Sequence, residues 1–92
     1  MDDEGIVALT KGSRYRVESM ETRERTKVTK GIFRGYAAIG PDDAIVIEMD
    51  ESHVEQKGKL RLIPVHIVLA VDVMEHVKED VPKVEKAQTM YG

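Results

Sequence analysis

Along residues 14–19, "RYRVES", the apolar Tyr15 and Val17 alternate with Arg14, Arg16 and Glu18. A period of two sends side chains to opposite faces of an extended chain, so this stretch predicts a strand with one apolar and one basic face. Four further segments read as strands: 28–39 ("VTKGIFRGYAAI"), 44–49 ("AIVIEM"), 60–63 ("LRLI") and 67–74 ("IVLAVDVM"). Between the first two, "METRERTK" has no apolar period and predicts a long polar hairpin connection. In the second strand Gly31 and Gly35 stand two positions either side of Phe33, on one face. Glycine inside a strand marks a bulge, a sharp bend or a close backbone approach, so this strand is expected to bend strongly.

The connections carry their own signals. Gly40, Pro41, Asp42 and Asp43 predict a turn, and "DESHVEQKGK" a polar loop. Pro64 has no N–H to give a ladder, so "IPVHI" predicts a tight turn or a single 3₁₀ turn between the last two strands. In the fifth strand Ile67, Leu69, Val71 and Val73 share a face, while Val68 and Ala70 leave the other apolar enough to need covering. Residues 1–13 carry acids early and Gly12 as a stop, the signals of a short N-terminal helix that Gly5 weakens. Residues 78–92 are charged with scattered valines and predict a flexible or weakly docked tail.

These elements describe an all-β chain: a small, bent, five-stranded antiparallel barrel of SH3-like or OB-like type over residues 14–77, between an N-terminal segment and a tail. Ninety-two residues suffice for one domain with a compact core but no deep substrate chamber. A hydrophobic fraction of 41% beside 34% charged residues suits a lean globular core. With no cysteine there is no disulfide framework, thiolate nucleophile or cysteine-based zinc site. No apolar run approaches the about 20 residues of a membrane span, and "MDDEGIVALT" is acidic where a signal peptide is basic, so a cytoplasmic protein without membrane attachment is expected.

The net charge of -3 conceals an asymmetry that changes the picture. Residues 11–34 carry eight Lys or Arg against three Glu, while 1–10 carry three acids and no base, and 35–92 six bases against eleven acids. Arg14 and Arg16 on the first strand, Lys30 and Arg34 on the second, and Arg23, Arg25 and Lys27 between them form the sharpest local feature. Antiparallel pairing is expected to gather them on one outward face beside Ile32 and Tyr36. Cations spaced along a strand pair suit phosphate contacts, and an aromatic neighbour can stack on an unpaired base, which points to single-stranded RNA. The plainer reading is a solvated hairpin whose cations are offset by Glu18, Glu21 and Glu24.

Other candidate chemistry is thin. His53, His66 and His76 lie ten or more residues apart, without the close pair usual in zinc sites, so no metal or cofactor is expected. Asp42 and Asp43, adjacent on a turn, suit backbone hydrogen bonds better than acid–base work. No phosphate-cradling loop, Ser-His-Asp order or paired buried carboxylate can be argued, and a non-enzymatic role is expected.

Gly31-x-Phe33-x-Gly35-Tyr36 resembles the first motif of the Sm/LSm family, in which a glycine, a large apolar residue, a second glycine and an aromatic bend the strand into the barrel. "AIVI" resembles the apolar strand that closes that motif, and "RLIPVHIVLAVDV" the second motif, so the resemblance spans about residues 14–74. It implies a bent five-stranded barrel that forms rings when strand four of one subunit pairs with strand five of the next, hence a homo-oligomer through strand-edge pairing. It also implies an RNA pocket near the turn that carries His66, which could stack on or hydrogen-bond a ligand or simply satisfy backbone groups. The pocket residues depart from the family: Ala37 replaces an aspartate, Asp43 or Ala44 an asparagine, and Pro64-Val65 the Arg-Gly pair. Two functions follow: an RNA-binding oligomer contacting RNA through Arg14, Arg16, Arg23, Arg25, Lys30, Arg34, Tyr36 and His66, or a protein-interaction scaffold that has lost nucleotide binding.

Overall fold

The computed structural model describes residues 8–77. Five strands form: β1 (Arg14–Thr22), β2 (Arg25–Ile39), β3 (Asp42–Met49), β4 (Leu60–Pro64) and β5 (Val68–Glu75), with one 3₁₀ turn, Val65–Ile67, between β4 and β5. They make one antiparallel sheet in the order β4-β3-β2-β1-β5, curled into a barrel-like shape that does not close. The expected all-β, five-stranded architecture is therefore the one observed, with the 3₁₀ turn directly after Pro64.

The connections are tighter than the sequence pattern suggests. Only Arg23 and Glu24 lie between β1 and β2, and the expected long connection is mostly strand, with Ser19 opposite Lys27 and Met20 opposite Thr26. Ladder hydrogen bonds outweigh missing apolar periodicity here, because charged side chains at a solvent-exposed hairpin end cost nothing. Likewise Gly40 and Pro41 alone link β2 to β3, and Asp42 and Asp43 already pair with Ile39 and Ala38.

The sheet wraps around Tyr15, Val17, Phe33, Ile45, Ile47 and Ile63, with Leu9, Ile67, Val68 and Val71 partly buried against them. Tyr15 and Phe33 meet edge to face, centroids 6.1 Å apart at 80°, a favoured aromatic geometry. β5 departs from the simple alternation. Ser19 pairs with Val68 but Glu18 with Ala70, so Leu69 is an inserted bulge residue. The insertion turns Val68 toward the core and leaves Leu69 52% exposed, so Leu69 does not share the buried face expected with Ile67 and Val71.

Residues 8–13 form no helix; they strap across the sheet. Gly12 N–H donates to Phe33 O (3.0 Å), Phe33 N–H donates to Ser13 O (2.9 Å), and Thr10 N–H donates to the Tyr15 hydroxyl (3.0 Å). Val77 N–H closes the other end on Ser13 Oγ (2.8 Å). The rest of the expected helix, residues 1–7, and the tail 78–92 lie outside the described residues.

Candidate functional site

The register gathers part of the basic cluster as expected. Arg14 pairs with Ile32 and Arg16 with Lys30, so these side chains share the outer face of the β1–β2 ribbon. Distant carboxylates meet them there. Arg14 Nη1 lies 2.8 Å from Asp50 Oδ2 with Glu75 at 3.7 Å, Arg16 Nη1 lies 3.0 Å from Asp72 Oδ2, and Arg34 Nη2 lies 2.7 Å from Glu48 Oε1. The offset expected from Glu18, Glu21 and Glu24 reduces to one long contact, Lys27 to Glu21 at 3.9 Å. Arg23, Arg25 and Lys30 form no ion pair among the described residues.

Asp50 is the structural hub of this face. Burial pushes its carboxyl up, but the Ser52 hydroxyl and N–H (2.7 and 2.9 Å) and the Arg14 guanidinium outweigh burial and hold it below the ordinary 3.8. His53, three residues on, accepts the Lys30 N–H on Nε2 at 2.9 Å. The loop 50–59 is thereby tied to β2.

Tyr36 is not on the basic face. One residue is inserted on β2 between the pairs Phe33–Ile47 and Gly35–Val46, and the next pair, Tyr36–Ile45, puts Tyr36 on the core-facing side. A bulge reverses the parity of everything beyond it. Tyr36 stands edge-on to Phe33 (5.2 Å, 75°) and, with Leu9, Val65, Val68, Val71 and others, lines an apolar cleft of about 340 Å³. His66 sits exposed on the 3₁₀ turn and does not line this cleft.

A second concavity, about 260 Å³, opens at the hairpin end between β1, β2 and β4. Its cations are Lys27 and Arg61, and Arg61 Nη1 donates to the buried Thr29 Oγ1 at 2.7 Å. Arg61 was not legible as a candidate because "LRLI" shows one cation in an apolar run, and only the register reveals that it points inward. Among the described residues no group of three His, Asp or Glu side chains could hold a metal ion. Comparison with family models, curated proteins and solved structures finds no match to this chain.

Proposed function

We propose that the protein is a non-enzymatic assembly module of Sm-like or SH3-like type that joins copies of itself, in the cytoplasm, through the two strand edges left unpaired among the described residues. The observation that carries this reading is the sheet order. Among the described residues β4 and β5 are the terminal strands, each hydrogen-bonded on one side only. Large apolar side chains stand exposed along them, Leu60 (57%), Leu62 (40%), Leu69 (52%) and Val73 (51%), beside the exposed acids Asp72 and Glu75 that face Arg16 and Arg14. Natural edges are usually shielded by charge, proline or a covering element. Here Pro64 closes β4 and the acids of β5 are held by β1 arginines, so exposed apolar side chains still dominate both edges and invite a partner strand. Because the two edges differ, pairing β4 of one copy with β5 of the next is heterologous and closes into a ring or extends into a filament.

Light scattering on the full chain tests the proposal. The wild type is expected as an oligomer, and Leu62→Lys with Leu69→Lys as a monomer of 10.4 kDa with unchanged far-UV circular dichroism. A monomeric wild type at about 100 μM, where edge contacts of micromolar affinity are saturated, contradicts it.

RNA binding is the second reading, favoured by Arg23, Arg25 and Lys30, which the described carboxylates leave without ion pairs. Arg14, Arg16 and Arg34 are already engaged, so phosphate contact falls to the hairpin tip. Fluorescence polarisation with oligouridylate at low and physiological salt decides this reading. Saturable, salt-sensitive binding lost in Arg23→Glu/Arg25→Glu supports it, and no binding at low salt removes it.

A further inference from the structure

We propose that the groove at the hairpin end of the barrel is a phosphate-binding site built on Arg61 and Lys27. Both residues lie on the core-facing side of the sheet: Lys27 is opposite the buried Ser19, and Arg61 is opposite the buried Ile47. A cation drawn toward the interior is unfavourable unless a counter-ion compensates the lost hydration. Arg61 has neutral acceptors instead. Nη1 donates to Thr29 Oγ1 (2.7 Å) and Nη2 to Gln56 Oε1 (3.1 Å), and among the described residues it forms no ion pair. Two anchors fix the guanidinium plane, and a guanidinium has five N–H donors, so the fork keeps donors for a ligand.

Lys27 completes a positive site from the other wall. Its one described carboxylate, Glu21 Oε2, lies at 3.9 Å, a long contact that leaves its ammonium able to take another oxygen. Ser19 lines the same groove, as does Glu21 beside Lys27, and Pro64 and Ile67 wall its apolar side. Guanidinium, ammonium and hydroxyl line this one groove from three elements, β4, β2 and β1. A tetrahedral phosphate presents oxygens in three directions and can accept from all three, whereas the two oxygens of a planar carboxylate would be consumed by the arginine fork alone. A groove of about 260 Å³ is also larger than the anion, with room for an attached sugar against Pro64 and Ile67. The phosphate therefore belongs to a free nucleotide or to a nucleic-acid strand. Arg61 and Leu62 lie on the edge strand β4, but the site uses the core-facing Arg61 side chain rather than the β4 backbone that strand pairing would use, and it does not use the outer-face arginines.

Nitrogen-15 NMR on the full chain tests the site, titrating inorganic phosphate, uridine monophosphate and an oligouridylate without terminal phosphates at constant ionic strength. Saturable shifts are expected at the Arg61 Nε–H and the Ser19, Lys27 and Thr29 amides, with acetate, which reaches the arginine alone, binding at least about tenfold more weakly. Tighter binding of the monophosphate identifies a free nucleotide, and tighter binding of the oligomer identifies a strand. Arg61→Met is expected to weaken phosphate binding about tenfold or more, the loss of one charge-assisted contact. Because that change also strips Thr29 of its partner, Lys27→Met, at a more exposed side chain, serves as the second variant and weakens binding in an intact fold. Non-saturable shifts, acetate binding as tightly as phosphate, or undiminished binding in folded Lys27→Met overturn the proposal.

Discussion

A Cβ built on Gly31 would lie 2.1 Å from the carbonyl oxygen of Glu48 and 2.8 Å from Ile47 Cγ2. Gly31 opposes Met49 in the ladder, so at this point the β2 and β3 backbones approach too closely for any side chain. The contact is with backbone, which cannot swing aside as a flexible side chain would. Gly31→Ala is therefore expected to force the strands apart and cost about 3 kcal/mol or more, an overpacking penalty at its upper range. Urea unfolding monitored by circular dichroism checks this.

Gly35 is required for a different reason. Its φ of +121° lies where L side chains are strained, and it sits at the bulge that turns Tyr36 toward the core side. Gly35→Ala is expected to lose about 1–3 kcal/mol from backbone strain. Its Cβ would meet only Lys11 Cε at 3.3 Å, a side chain that can move, so trimming Lys11 to Ala should not rescue the variant. Rescue by that second change would assign the loss to crowding instead.

Asp50 makes the outer face acid-sensitive. Its carboxyl has a lower pKa folded than the ordinary 3.8, because Ser52 and Arg14 favour the charged form more than burial disfavours it. The stability this supplies is fully present above the unfolded value and is lost as pH falls through the folded value. Asp50→Asn is expected to cost about 1–2 kcal/mol near neutral pH, the scale of hydrogen bonds to a charged acceptor. The gap between variant and wild type should then narrow below about pH 4, as unfolding curves at stepped pH would reveal.

The outer-face ion pairs are expected to matter far less. Arg16 and Asp72 keep 34% and 56% of their side-chain surface exposed, and exposed pairs contribute about 0–1 kcal/mol. Asp72→Asn should leave the melting temperature nearly unchanged while freeing a cation. If the RNA reading holds, that variant binds oligouridylate at least as tightly as the wild type, which fluorescence polarisation measures.

Local signals located the strands and the turn after Pro64 well, because a period of two and a proline without a donor act within a few residues. Gly31 and Gly35 were legible as a bend, though not as one close approach and one left-handed bulge. What escaped depends on register. Asp50, Asp72 and Glu48 are 14 to 56 residues from the arginines they meet, and one residue inserted in β2 moved Tyr36 off the basic face while another inserted in β5 moved Leu69 out of the core. Arg61 escaped for the same reason, since its inward direction follows from its pairing with Ile47.

Hydrogen exchange of the β4 and β5 amides as a function of protein concentration tests the assembly claim most directly, because it reads the free edges themselves. If copies join strand to strand, edge amides directed away from β3 and β1 exchange quickly in dilute protein and become protected as concentration rises, while β2 amides do not change. Edge exchange that is equally fast at all concentrations, with an oligomer present or absent, would contradict strand-edge assembly.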